Sequence, residues 1–277
     1  MRGSFLAELY RRNPLLALVG WLHVVALLAT FLGYATDDRI VMGVNTWTKP
    51  MKFMGSIALY LWTIAWFTRY VRRPRWAMKT VSIVIAVSIV IQSACILMQA
   101  ARGRPSHFNV GTDFDAAVYQ TIVIMLGINL LMVIMVLFLF SRPILRLPRV
   151  YLWGIRTGLV LFLIGGAIGG VMMVRGAHTV GAPDGGPGLP FLNWSTVAGD
   201  LRIAHGFALY ALQILPLVGY ALSRCRRVQD GRARLLLLGA AAAGYGALVY
   251  ALFRQAMEGS PLFTNALVPL LEQSRLI

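Results

Sequence analysis

AAVYQTIVIMLGINLLMVIMVLFLF, residues 116–140, carries no charged side chain. As a helix rising 1.5 Å per residue it is about 37 Å long, more than the ~30 Å hydrocarbon core of a bilayer, so it reads as a membrane-spanning helix with some tilt. Its flanks agree with that reading. Thr112-Asp113-Phe114-Asp115 stands before it and predicts a helix start, with Thr112 as the cap and Asp115 at the third helical position. Arg142, Arg146 and Arg149 follow it, a basic group on one side only.

Working outward, six more apolar runs occur at residues 15–34, 51–70, 80–101, 157–174, 201–223 and 235–253. Basic residues fill every second connection. Arg2, Arg11 and Arg12 precede the first run, and Arg69, Arg72, Arg73, Arg75 and Lys79 lie between the second and third. Arg142, Arg146, Arg149 and Arg156 precede the fifth, and Arg224, Arg226, Arg227, Arg232 and Arg234 precede the seventh. The positive-inside rule then puts the N-terminus in the cytoplasm and, after seven crossings, the C-terminus outside. The expected fold is all-α: a polytopic, seven-transmembrane-helix bundle forming a single membrane domain over residues 1–277, in a bacterial cytoplasmic membrane.

Composition excludes other classes. With 58% hydrophobic and 13% charged residues, the chain lacks the polar exterior of a soluble domain. The net charge of +16 is spread over the cytoplasmic connections, where anionic lipid headgroups are sufficient partners and nucleic acid is not expected. Cys95 lies in the third run and Cys225 in a cytoplasmic connection, so no disulfide is expected. The first run lacks a small-residue cleavage site and reads as a retained span. Residues 266–271 are mildly amphipathic and are expected to lie on the outer surface.

Within the spans, polar residues are patterned. Ser88, Gln92, Cys95, Gln99 and Arg102 recur at steps of four, three, four and three, one face of one helix, and in lipid such a face should look into the bundle. Gly165, Gly166, Gly169 and Gly170 form two small-xxx-small pairs, which favour close packing within the chain over a dimer seam. Arg202, His205 and Gln213 share the sixth run with Pro216, where a kink is expected. Thr48, Lys49 and Pro50 read as a cap and first turn of the second span, with Lys49 and Lys52 at its outer boundary. His23 is central in the first span, where a neutral imidazole bonded to a facing Ser, Gln or backbone carbonyl is expected; haem ligation is disfavoured because His205 lies at another depth.

Potential chemistry gathers on the outer side. Asp37, Asp38, His107, Asp113, Asp115, His178, Asp184 and Asp200 all fall there, His205 lies close beneath, and the 176–200 connection is long and rich in Gly and Pro. Two readings arise. One is a divalent metal, zinc in the first place, on His107, His178 and His205, with Asp200 or Asp113 as base. The other is a ligand pocket in which Arg102, Arg202, Gln99, Gln92, Lys52 and Gln213 hold an anionic or polar molecule. The expected function is therefore an outward-facing polar pocket for a small molecule or lipid, in a metal-dependent hydrolase or transferase or, in another class, a non-catalytic transporter, sensor or subunit of a membrane complex. Enzyme status, substrate and oligomeric state stay open. The seventh run has no lysine for a retinal Schiff base and no histidine pair of the kind on the last helix of the ceramidase-related seven-span hydrolases. No Walker loop, dinucleotide fingerprint, GxSxG elbow or HExxH helix occurs.

Overall fold

Each apolar run forms one helix, and four of the eight helices among the described residues start behind a side chain that caps them. The computed structural model describes residues 5–71, 75–142 and 147–263. A short helix α1 (Phe5–Arg12) comes first, one that the apolar runs do not announce. It is held by Leu9, which is buried, by Phe5 stacked on Trp66, and by Arg12, which lies over the Trp66 ring and donates to the Trp66 carbonyl. α2 (Pro14–Thr36) starts behind Asn13, whose side chain accepts from the Leu16 amide, and Pro14 has no N–H to leave unpaired. α3 (Thr48–Thr68) begins with Thr48 already helical, and Trp47 at the cap makes no side-chain cap bond, so the expected role of Thr48 as cap is corrected.

α4 (Arg75–Ala101) and α5 (Asp113–Ser141) follow, the latter capped by Thr112 accepting from the Asp115 amide as its sequence predicts. α6 (Arg149–Arg175) ends on Gly176, which turns left-handed at φ 66° and frees the chain from the helix. α7 (Leu201–Arg224) runs unbroken through Pro216 behind the cap Asp200, and α8 (Gly231–Met257) starts behind Asp230. α6 begins eight residues before the apolar run because Arg149 and Arg156 are tolerated near a helix end. Arg156 folds over Trp153 and donates to the Phe140 carbonyl.

Six of the helices, α2, α4, α5, α6, α7 and α8, are long and apolar enough to cross a membrane, which makes this an all-helical, multi-pass membrane protein. α3 has 21 residues but opens with two lysines. The Arg2, Arg72, Arg73 and Arg146 positions and the amphipathic 266–271 stretch lie outside the described residues.

The tightest pairing joins α6 to α7. A Cβ on Gly154 would lie 2.6 Å from the Leu215 carbonyl oxygen, and one on Gly158 2.8 Å from that of Ala211. Gly165 faces Ala208 and Gly169 faces the His205 ring, while Gly166 turns to Leu130 of α5. Three of the four paired glycines thus pack within the chain, while a Cβ on Gly170 would meet nothing within 4 Å among the described residues. The polar face of α4 also turns inward, with Ser88, Gln92 and Gln99 all buried. Gln99 and Arg102 both donate to Asp115 Oδ1, at 2.9 and 2.5 Å, tying α4 to α5.

One end of the bundle, here the loop end, carries small β elements. β1 (Ile40–Val41) and β2 (Val44–Asn45) make a hairpin, and β3 (Thr179–Val180) pairs with β4 (Gly199–Asp200), closing the 176–200 connection on itself. That connection folds onto the helices: Leu189, Ser195, Thr196 and Ala198 are buried, and Trp194 packs against the buried cluster formed by α6, α7 and α8.

Candidate functional site

The three histidines that the sequence places on one side, His107, His178 and His205, come from the 102–112 connection, the 176–200 connection and α7. Each is tethered through Nδ1. His178 Nδ1 lies 2.7 Å from Asp184 Oδ2, a distance at which two lone pairs would repel, so Nδ1 carries the proton. His205 Nδ1 lies 2.7 Å from the Gly165 carbonyl oxygen, which can only accept. His107 Nδ1 lies 3.1 Å from Ser106 Oγ, and its ring packs edge-on against Phe53 and Phe108. None of the three Nε2 atoms has a protein hydrogen bond among the described residues.

Charge shapes the site as much as hydrogen bonding does. Burial, then the positive charge of Lys49, then His178 hold the His107 imidazole neutral well below its ordinary range. For His178, burial lowers the pKa and outweighs the opposing pull of Asp184, with Arg202 and Lys49 pushing the same way as burial. Burial works against the Asp184 carboxylate, yet bonds from His178 and from the Thr179 amide hold it well below the usual carboxylate range. The same electrostatic neighbourhood links Lys49 to Lys52, Arg202 and Asp184.

Lys49 and Lys52 stand one turn apart on α3, both half-buried. Lys52 donates to the Leu192 carbonyl at 2.9 Å, beneath the Phe191 ring, and Lys49 points near the Phe53 ring. Neither has a carboxylate within ion-pair distance among the described residues. Burying an unpaired ammonium is costly, and a bound anion would offset that cost.

The remaining predicted residues divide. Asp200 is almost fully buried at the start of α7, where it accepts from the Arg202 and Ser195 amides and pairs with the Arg202 guanidinium at 2.6 Å. Its acceptor capacity is thus spent on holding the loop and helix. Arg202 also donates to the Asn193 carbonyl, so it ties the 176–200 connection to α7. Asp113 is exposed in the first turn of α5, while Asp115 beside it is the buried partner of Gln99 and Arg102. Arg102 also lies over Phe114, away from the histidines' tethers. Gln92 and Gln213 lie deeper in the bundle: Gln92 Nε2 and Gln213 Oε1 are buried without a partner among the described residues, and Gln213 Nε2 donates to Thr63 Oγ. His23 has both ring nitrogens within hydrogen-bond distance of a partner, the Val19 carbonyl and Ser93 Oγ, a backbone carbonyl and a facing serine as its sequence setting predicts.

One feature was not singled out in the sequence. Asp184 as the partner of His178 depends on a turn six residues on, and Asp-Gly at 184–185 was its only local sign. Lys49, which the sequence places with Lys52 among the cations at the outer ends of spans that could hold an anion, shares one face of α3 with it at a step of three. Strain marks the same end of the molecule: Phe108 and Phe191, both bulky, sit at φ 57° and 62°, and Met42 and Asn193 are also left-handed. Among the described residues no three His, Cys, Asp or Glu side chains gather as a metal-ligand set. Comparisons with protein-family models, curated proteins and solved structures found no match for this chain.

Proposed function

We propose that this chain is a seven-span protein of a bacterial cytoplasmic membrane, with α3 as its second crossing, the N-terminus in the cytoplasm, and the loop end facing outward. There it forms a pocket that binds an anionic small molecule or lipid headgroup. The observation that carries this reading is the pair of half-buried lysines, Lys49 and Lys52, without carboxylate partners among the described residues. The histidines add a chemical requirement. With the proton on Nδ1, His178 and His205 present Nε2 as an acceptor, so the favoured ligand carries acidic oxygens for the lysines and a hydroxyl proton for an imidazole. A hydrogen-phosphate ester meets both conditions.

The test is binding of butyl phosphate to detergent-purified protein, read as a rise in thermal stability. A ligand at 100 times its Kd adds about 2.7 kcal/mol of stability by mass action. Wild type should be stabilised and the Lys49→Gln/Lys52→Gln protein should not; equal response of the two would end the proposal.

A second reading is favoured by the Nδ1 tethers, since a histidine that ligates a metal commonly has its other nitrogen fixed in this way. In it, His107, His178 and His205 draw together on a zinc ion, and the protein is a metal-dependent hydrolase or transferase. Metal analysis of wild type against the triple alanine variant tests it. A transporter, sensor or complex subunit would bind the ligand without turnover, and loss of turnover but not binding in His178→Gln separates an enzyme from these.

A further inference from the structure

We propose that the seam between α3 and α7 is the chain-binding half of the same site, so that the ligand is an amphiphile with its anionic head on Lys49 and Lys52. This rests on the pocket reading above. On α3, Lys49, Lys52, Ser56, Leu59 and Thr63 follow steps of three and four, one stripe of a helix. On α7, Arg202, Gly206, Tyr210, Gln213 and Leu217 do the same. The opposite face of α7 is committed to α6 through buried Ala204, Ala208, Ala211 and Leu215, and α3 meets α7 far more sparsely than α6 does.

Two hydrogen bonds cross the seam, Ser56 Oγ to Tyr210 OH at 2.7 Å and Gln213 Nε2 to Thr63 Oγ at 3.2 Å. These bonds engage Ser56, Tyr210, Thr63 and the Gln213 amide nitrogen, while Gln213 Oε1 has no partner among the described residues, so the seam offers ring faces, methylenes and one acceptor. Gly206 lies on the seam face one turn from Arg202 and one turn from Tyr210, and a Cβ built there meets no atom within 4 Å. By contrast, Gly154 and Gly158 are pressed against backbone. The seam face is thus open at Gly206, between Arg202 and Tyr210. Leu59, Tyr210 and Leu217 are exposed along the seam, which opens it sideways to the membrane. From Lys52 to Thr63 the stripe descends about 16 Å at 1.5 Å per residue. An amphiphile can therefore slide in laterally from the outer leaflet, head up to the lysines and chain along the two stripes.

The experiment compares butyl phosphate with dodecyl phosphate, binding to full-length protein in a neutral maltoside detergent, for wild type, Gly206→Phe, Gly206→Leu and Lys49→Gln/Lys52→Gln. Wild type should bind the dodecyl ester at least tenfold more tightly than the butyl ester. Filling the groove at Gly206 should abolish that preference while leaving butyl phosphate affinity unchanged, which also shows that the variants are folded. The double lysine variant should lose both ligands. Equal affinity of wild type for the two esters, or an undiminished preference in both Gly206 variants, would refute the chain groove and leave the pocket standing. Failure of wild type to bind either ester would refute the pocket reading and this inference together.

Discussion

His178 and Asp184 set how the loop end responds to acid. Both His107 and His178 are held below their ordinary pKa of about 6.5 in the folded protein, so unfolding takes up protons. The stability linked to their neutrality is complete above about pH 6.5 and is lost as pH falls from there through the folded values. Asp184 acts in the same direction at lower pH, because its folded carboxylate is held below its ordinary value of 3.8. The melting temperature in detergent should thus fall steadily from pH 7 to pH 5, and His107→Phe should flatten that slope; a slope unchanged in the variant would remove His107 from the account. Asp200 makes a different prediction. It is 1% exposed and joins a cap, a loop amide and an arginine, so Asp200→Ala should cost about 3 kcal/mol or more, seen as a lower melting temperature whatever the ligand. A variant with wild-type stability would show that Asp200 is not the anchor of the loop and helix.

The helices divide by what their small residues touch. Gly158 of α6 faces the Ala211 carbonyl and Pro216 of α7, while Gly170 on the same helix has open space around its missing Cβ. Gly158→Leu should therefore destabilise by about 1–3 kcal/mol through forced separation of α6 and α7, whereas Gly170→Ala should be neutral or stabilising by up to about 1 kcal/mol. Thermal unfolding of the two variants decides it, and equal effects would deny that α6 packs through this ridge. The sequence spacing of these glycines announced close packing but not the partner, since i, i+4 spacing names a face and leaves open which helix covers it. The same limit explains the site. The period of Ser88, Gln92 and Gln99 correctly turned α4 inward, yet Arg102 was spent on Asp115 because that carboxylate lies one connection away in the chain. The Asp184 tether, the Lys52 bond to Leu192 and the left-handed Phe108 and Phe191 arise from loop conformations, for which hydropathy carries no signal. Helix α1 escaped for another reason: it is short, and its stability comes from Trp66 and Arg12 rather than from an apolar run.

At the scale of the molecule, the contacts of α3 bear on the number of crossings. Thr46, just before α3, donates to the Ala100 carbonyl at the end of α4, and Arg39, just after α2, donates to that of Ala101. At its other end α3 meets the start of α2, where Thr68 donates to the Arg12 carbonyl. The chain thus passes from one end of the bundle to the other within α3, and 21 helical residues rise about 31 Å, a bilayer's hydrocarbon thickness. Two lysines are tolerable in such a helix because they sit in its first turns at the loop end, and because α2, α4 and α7 flank it and spare much of it from lipid. The proposal of seven crossings rests on these contacts, and it puts the arginine-rich connections at the end opposite Lys49 and Lys52. An alkaline phosphatase reporter, active only outside the cytoplasm, should then be active when fused after Ile277 and silent when fused after Gln229 in the Arg224–Arg234 connection. Activity at both positions would mean an even count of crossings after Gln229, and the reverse pattern would turn the pocket toward the cytoplasm, replacing an outer-leaflet amphiphile by an inner-leaflet one as the ligand to test.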